Sequence, residues 1–275
     1  ALDIDAATDD TVLLTCLRNA SRLIDRATGR TYYPEYAVRY VDGSGSDRLW
    51  LPWPLLEATE VALSSDLGTT YTALTASTDY WLSNGSRWDV TPYQLLVLNP
   101  NGSYGAWYAG RRTVRITGTW GWRPEYAGAW EGTGDTVQDA VAVSAAAPQI
   151  TVTSTTGTDA LGLTPRFAAG NIVKIDAEIC EVTATTSTKL TATRGQNGTT
   201  AASHTNGTAI YRWRSYEVVE QAALTQAARF YKRAQQAYAD AGASVELGRL
   251  VYAKRLDPDV EVILLEAGLK RLAVG

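Results

Sequence analysis

The spacing of hydrophobic residues changes several times along the chain, and each change marks a predicted element. Near the N-terminus, apolar residues recur every three or four positions, which predicts an amphipathic helix beginning at Thr8 or Asp9 and ending at Gly29. Its apolar positions are Leu13, Cys16, Leu17, Ala20, Leu23, Ile24 and Ala27. From 32 to 122, short alternating segments separated by turns predict β-strands instead. These strands are 37–41, 48–51, 59–63, 71–74, 80–82, 95–98 and 113–120.

Prolines and composition mark the breaks in this β-rich region and after it. Pro52 and Pro54 flank Trp53, and because proline cannot donate to a β-ladder, residues 51–55 are predicted as a kinked loop. Residues 124–136, rich in Gly, Ala and acidic side chains, are predicted as a linker. From about 136 to 210 the chain is rich in Thr, Ala, Ser and Val and predicts a compact β-module of roughly five or six strands, a barrel or a sandwich. Alternation is clear at 149–153, 172–175, 178–182 and 189–193.

Helical spacing returns at Tyr216 and predicts a second helix to about 241. Asp257-Pro258 has the residue types of an N-cap and a first helical position, and it predicts a last short helix. The predicted fold class is therefore α+β: a helix-flanked, β-rich host domain with C-terminal helices and an inserted all-β barrel or sandwich. The predicted parts are 1–132 (N-terminal helix and aromatic-rich β part), 133–212 (inserted module) and 213–275 (C-terminal helix and tail completing the host domain).

Composition places the chain among ordinary globular proteins and argues against tight nucleic-acid binding. Of 275 residues, 45% are hydrophobic and 20% charged, and the formal net charge is −4. Strong phosphate binding needs clustered Lys and Arg, and no run of the sequence is strongly basic. Cys16 and Cys180 lie far apart in apolar surroundings, which predicts buried free thiols. No stretch resembles a signal peptide or membrane span, so we expect a soluble protein made in the cytoplasm, with no membrane partner.

The aromatic residues are unusual in kind, with nine Trp and fifteen Tyr against two Phe. Trp and Tyr combine a large contact area with a polar tip and are enriched at protein interfaces. They also form cross-strand pairs in β-sheets. Assembly and a β-rich fold therefore both account for this composition, and the sequence leaves the two explanations open.

Residues with catalytic potential are few. His204 is the only histidine, no Gly-x-Ser-x-Gly motif occurs, and one His with two distant Cys is too few for a zinc site. Beside an Asn-Gly turn, His204 is interpreted as a turn residue. Glu178 and Glu181 fall on opposite faces of a predicted strand and are interpreted as solvated or edge-strand charges. We therefore predict a protein that is not an enzyme, with no catalytic residue, no cofactor and no metal site.

Several segments together resemble a known family. Residues 219–233, with Leu256-Asp257-Pro258-Asp259-Val260, resemble the C-terminal helix of head–tail connector (adaptor) proteins of long-tailed bacteriophages. The N-terminal helix, Asp79-Tyr80-Trp81 and the segment 110–122, which ends Trp120-Gly121-Trp122, look like the same family. In that family this segment runs almost directly into the terminal helix, whereas here residues 123–215 intervene. Within them, 178–182 and 190–212 resemble a small β-module that recurs in phage structural proteins, in which His204 looks structural.

The resemblance implies a structural role in the neck of a virion, after synthesis in the cytoplasm of the bacterial host. Copies would form a dodecameric ring beneath the portal protein, bind a tail-side stopper or head-completion protein, and let DNA pass without sequence-specific binding. The expected portal-docking residues are Leu256, Val260, Ile263, Leu264 and Leu269. The expected ring-interface residues are Trp50, Trp53, Trp81, Trp120, Trp122 and Tyr231. The alternatives are a carbohydrate-binding or tail-fibre type β-module and, less favoured, a glycosidase with a carboxylate pair.

Overall fold

The structure is a computed structural model that describes residues 7–235 and 256–269, with side chains described for 12–233 and 256–269. It contains three helices and two antiparallel sheets, so the α+β class is confirmed. The described residues fall into two compact units. A helical unit draws on both ends of the chain, up to Thr31 and from Ser215, and a β unit comprises Tyr32–Arg214. The sequence had grouped the helices with the first sheet in one domain.

The helical unit contains α1 (Ala7–Thr28), α2 (Glu217–Gln235) and α3 (Pro258–Glu266). α2 packs against both α1 and α3. Gly29 ends α1 with a left-handed backbone, φ 65°, a conformation that glycine adopts without strain. The side chain of Asp257 caps α3 by accepting the N–H of Asp259 at 3.0 Å. All three predicted helices are confirmed, and the predicted extension of the second to 241 lies outside the described residues.

The first sheet of the β unit has the strand order β1-β6-β2-β5-β4, with β3 paired to β2. Its strands are β1 (Glu35–Gly43), β2 (Arg48–Leu63), β3 (Thr72–Leu74), β4 (Tyr80–Ser83), β5 (Tyr93–Leu98) and β6 (Gly110–Trp120). Its core includes Leu55, Leu96, Trp107, Val114, Ile116 and Trp120.

The second sheet has the order β7-β12-β9-β10-β11-β8. Its strands are β7 (Trp130–Thr136), β8 (Gln149–Thr151), β9 (Ile172–Ile175), β10 (Glu178–Thr185), β11 (Lys189–Thr193) and β12 (Ala209–Trp213). Its core is separate from that of the first sheet and includes Ile150, Phe167, Val173, Ile175, Val182, Leu190 and Ile210. The outer strands β7 and β8 do not pair, although Gln138 donates its backbone N–H to the carbonyl of Thr151 at 2.8 Å. The described strands thus form an open sheet and do not show a closed barrel.

Two predictions about local structure are wrong. Residues 51–55 do not form a loop, because β2 continues through both prolines. The ladder between β2 and β5 shifts register between Trp50 and Leu55, so proline's missing N–H falls where regular pairing is interrupted. The predicted linker 124–136 contains a short 3-10 helix, Tyr126–Gly128, and strand β7.

The two sheets touch at several points within the β unit. The backbone N–H of Tyr36 on β1 donates to the carbonyl of Asn197 at 2.8 Å. The adjoining Gly198 lies so close that an added Cβ would be 2.0 Å from the carbonyl oxygen of Tyr36. Only glycine fits there, so the Asn197-Gly198 turn of the second sheet is matched to the edge strand of the first.

Candidate functional site

Glu178 begins β10, an inner strand between β9 and β11. Because side chains alternate along a strand, Glu178 shares a face with Cys180 and Val182, which belong to the core of the second sheet. Its side chain is 0% exposed. The interpretation of Glu178 as a solvated or edge-strand charge is therefore wrong, whereas Glu181 lies on the opposite face and is half-buried.

A buried arginine neutralises this carboxylate. Arg194 Nε and Nη2 donate to the two oxygens of Glu178, each at 2.7 Å, in a bidentate pair. The backbone N–H groups of Gly195 and Ala202 also donate to it, at 2.9 and 2.8 Å. Arg194 reaches further to the carbonyl oxygens of Ala147 at 3.0 Å and Ala202 at 2.6 Å. The pair therefore fastens the segment after β11 to the start of β10.

His204 completes this polar cluster. Its Nδ1 lies 2.9 Å from Asp176 Oδ2 and its Nε2 lies 2.9 Å from Glu178 Oε2. The two ring nitrogens therefore bridge two carboxylate side chains of the second sheet. His204 is buried and also pairs with Val143 through backbone hydrogen bonds in both directions. It is therefore a buried bridging residue and not the turn residue that the sequence suggested.

We call Asp176, Glu178, Arg194 and His204 the Glu178 clasp. Burial alone raises the pKa of Glu178, but the hydrogen bonds from Arg194, Ala202, Gly195 and His204 outweigh it and lower the pKa to about 2. The pKa of the neighbouring Cys180 shifts in the opposite direction. Burial, together with the negative charge of Glu178, raises the pKa of its thiol to about 12.

The Glu178 clasp has the chemistry of a structural element. Each carboxylate oxygen of Glu178 already accepts three hydrogen bonds, the sixth coming from Cys180 Sγ at 3.3 Å. The Cys180 thiol is buried and stays protonated at neutral pH, so it is not an activated nucleophile. Among residues 12–233 and 256–269, no group of three or more His, Cys, Asp or Glu side chains is placed to hold a metal ion. The arrangement holds residues 194–204 against the start of β10.

The six predicted ring-interface residues occupy different environments. Trp50 and Trp53 on β2 are exposed, at 59% and 44%. Trp81 and Trp122 are half-buried, packed edge-to-face against Trp88 and Tyr32 respectively. Trp120 is 1% exposed in the core of the first sheet, and Tyr231 is buried between α1 and α2. In this conformation Trp50 and Trp53 are the exposed members of the set.

The predicted portal-docking residues lie on or beside α3. Four of them, Leu256, Val260, Leu264 and Leu269, are buried, and Ile263 is half-buried. α3 packs on α2, and Asp257 donates its N–H to Gln226 Oε1 at 2.9 Å. The exposed apolar residue of α3 is Val262. Most of the apolar surface assigned to docking is therefore used inside the chain. None of the described helices is both long and apolar enough to cross a bilayer.

A cavity of about 690 Å³ lies within the β unit, where the two sheets meet. Aromatic side chains form part of its wall: Tyr93, Tyr126, Trp130 and Tyr211. Trp130 donates its indole N–H to the hydroxyl of Tyr126 at 3.1 Å, and Lys174 Nζ lies 5.3 Å from the centre of a Trp130 ring.

The same cavity is lined by three carboxylates, Glu57, Asp89 and Glu125. None of them has an ion pair or a side-chain hydrogen bond with any residue that the structure describes. Burial raises the pKa of Tyr126, and the charge of Glu57 adds to the increase. The pKa of Tyr93 is raised by burial and then by the charges of Asp89 and Glu57. The cavity therefore has a negative electrostatic environment.

Arg194, Asp176 and the cavity were not predicted from the sequence. In the folded hairpin, the register that pairs Glu181 with Thr193 puts Arg194 across from Cys180, two residues from Glu178 along β10. For the cavity no local signal exists, since its walls come from segments more than a hundred residues apart, such as those of Glu57 and Lys174.

The chain matches no protein-family model, and no curated protein or solved structure is significantly similar to it. The connector resemblance and the functions it implies therefore remain hypotheses that rest on the sequence segments and on the geometry described above.

Proposed function

We propose that this protein is a structural head–tail connector of a tailed-phage virion, which forms a ring below the portal, joins the capsid to the tail and lets DNA pass. The observation that carries the proposal is the order of its parts. An N-terminal helix, a Tyr- and Trp-rich sheet and a terminal helix follow one another in the order of the connector family. α1 and α2 pack together although most of the sequence lies between them.

Exposed aromatic surface supports assembly. A ring repeats one heterologous contact around a closed axis, so each subunit needs two different complementary faces. Trp50 and Trp53 are exposed on β2, and Val38 and Tyr40 are exposed on β1, an edge strand of the same sheet. Exposed Trp and Tyr of this kind dominate the energy of many interfaces. The proposed ring interface therefore centres on Trp50 and Trp53, and Trp120 supports Trp53 from the core of the first sheet through an edge-to-face contact with ring centres 6.4 Å apart.

The remaining partners follow from the same proposal. The portal would contact the helical unit, where Val262 is the exposed apolar residue of α3. A tail-side stopper or head-completion protein would bind the opposite end of the ring. DNA would pass through the bore without sequence-specific contacts, in keeping with a net charge of −4. The protein would be located in the neck of the virion after synthesis in the host cytoplasm.

Within this proposal the second sheet is an accessory module inserted into the connector at about 133–212. Its own core supports that assignment, as does the pairing of β7 with β12, which brings the two ends of the segment together. The hydrogen bond between Gln138 and Thr151 and the contacts of Asp139 with Thr151 bring β7 and β8 near each other, as in an incompletely closed barrel.

Sedimentation velocity of three proteins tests the assembly claim: the wild type, the double variant Trp50→Ala/Trp53→Ala, and Tyr108→Ala as a control that removes an exposed aromatic ring outside the predicted ring-interface set. The wild type and the control should form ring-sized species, and the double variant should remain monomeric while still unfolding in one cooperative transition. A wild type that stays monomeric both alone and with portal rings would contradict the proposal.

One observation favours a second candidate, a carbohydrate-binding module: the aromatic cavity combines Trp and Tyr rings with polar groups, as sugar sites do. Binding to a glycan array that is lost in Trp130→Ala would support it. The glycosidase alternative gains nothing from Glu178, whose oxygens are fully occupied by hydrogen bonds.

A further inference from the structure

The cavity between the two sheets carries an unbalanced charge next to aromatic rings. Glu57, Asp89 and Glu125 contribute three negative charges, and Lys174 is the one cationic side chain in its described lining. We propose that this cavity binds a guanidinium or ammonium group, supplied either by an Arg or Lys side chain of a partner protein or by a free polyamine. This inference goes beyond the connector role and does not depend on it.

Trp130 supplies the face on which such a cation would lie. Lys174 Nζ is 5.3 Å from a ring centre of Trp130, so the indole already interacts with a positive charge inside its own chain. A cation–π contact of this kind strengthens when the ring is partly removed from water, and Trp130 is half-buried. Electrostatics favour a second cation over a neutral ligand because two of the three carboxylate charges remain unbalanced.

The aromatic wall is held in place before any ligand arrives. Trp130 packs edge-to-face on Trp213 with ring centres 5.0 Å apart, and its N–H is bonded to Tyr126. Tyr126 is fixed in turn by its own backbone N–H, which donates to Thr91 Oγ1 at 2.9 Å. A rigid wall reduces the conformational entropy lost on binding and favours a small ligand.

Titrations followed by NMR of the tryptophan indole N–H groups test the proposal directly. The probes are Nα-acetyl-arginine methylamide, its neutral isostere Nα-acetyl-citrulline methylamide, spermidine and cellobiose. The arginine derivative should shift the Trp130 signal in a saturable way at millimolar concentration, and the citrulline derivative should bind at least about tenfold more weakly. Tighter binding of the arginine derivative than of spermidine would indicate a protein side chain as the source of the cation, and the reverse order would indicate a free polyamine.

Charge variants of the cavity provide the second arm of the test. The double variant Glu57→Gln/Glu125→Gln should weaken arginine binding about tenfold, because it removes two of the three negative charges that line the cavity. Lys174→Gln should strengthen it, since the competing internal cation is removed. Glu220→Gln is the control, because Glu220 is an exposed carboxylate on α2 that does not line the cavity.

Equal binding of the arginine and citrulline derivatives would overturn the proposal, as would unchanged affinity in the double variant. Cellobiose binding that shifts Trp130 and is insensitive to the charge variants would overturn it too and would assign the cavity to carbohydrate. Absence of any saturable shift with the cationic probes would show that the cavity is not a cation site.

Discussion

Replacing Glu178 by Gln changes the charge of the Glu178 clasp while leaving its shape almost unaltered. In the folded chain the pKa of Glu178 falls from 4.5 to about 2, which corresponds to about 3 kcal/mol of stabilisation of the folded state at neutral pH. The loss of a buried ion pair gives a similar free energy. Removing one member of a buried ion pair costs about 3–5 kcal/mol, because the remaining charge, here on Arg194, loses its counter-ion. We expect Glu178→Gln to lower the free energy of unfolding by about 3 kcal/mol.

The pH dependence of this effect has a definite sign. Because the pKa of Glu178 is lower in the folded than in the unfolded protein, the unfolded state binds a proton first as the pH falls. The stabilisation is therefore fully present above about pH 4.5 and is lost as the pH approaches about 2. Glu178→Gln lacks this titration, so its stability should converge on that of the wild type over this range.

Urea unfolding followed by tryptophan fluorescence, repeated from neutral to acidic pH, measures both effects. Glu57→Gln is the matched control: the carboxylate is exposed and lacks a side-chain partner among the described residues, so its replacement should change stability by less than about 0.5 kcal/mol. A loss below about 1 kcal/mol in Glu178→Gln, or a difference from the wild type that does not vary with pH, would refute the reasoning.

Three further predictions concern other parts of the chain. Gly198→Ala should destabilise the protein by well over the roughly 1 kcal/mol expected from a left-handed φ alone, because its Cβ would meet the backbone of Tyr36. Gly207→Ala is the control, since Gly207 has a similar φ and no atom near its added Cβ; equal losses of stability for the two variants in urea unfolding would argue against the contact. Cys180 should resist thiol reagents at pH 8 until the protein unfolds, since its thiol is buried with a pKa of about 12. Rapid labelling of Cys180 in the native protein would contradict this burial. Asp257→Ala should cost about 1 kcal/mol by removing the cap of α3, and Asp259→Ala should cost less; both are measured by thermal unfolding, and the reverse order would contradict the capping role.

Hydrophobic spacing predicted the helices and most strands because local periodicity determined them. Residues 172–175 and 189–193 were predicted as strands and are β9 and β11 with the same bounds. The loop predicted around Pro52 and Pro54 was wrong because local sequence did not determine the structure there. Their effect on β2 depends on an interruption of the ladder with β5, and that interruption is a property of the sheet and not of the local sequence.

The Glu178 clasp was partly predictable. Alternation correctly placed Glu178 and Glu181 on opposite faces, and the same rule puts Glu178 beside Cys180 and Val182 on an apolar face. A carboxylate on a core face needs a buried polar or cationic partner, and the hairpin register makes Arg194, across from Cys180, a diagonal neighbour of Glu178. His204 and Asp176 join from other parts of the second sheet, so only the folded structure shows that they meet.

The most direct test of the connector proposal is negative-stain imaging of the purified protein, alone and mixed with the portal protein encoded in the same genome. The account predicts ring-shaped particles, or portal rings that gain an additional collar on one face when the protein is added. Monomeric particles together with portal rings that remain unchanged would contradict it.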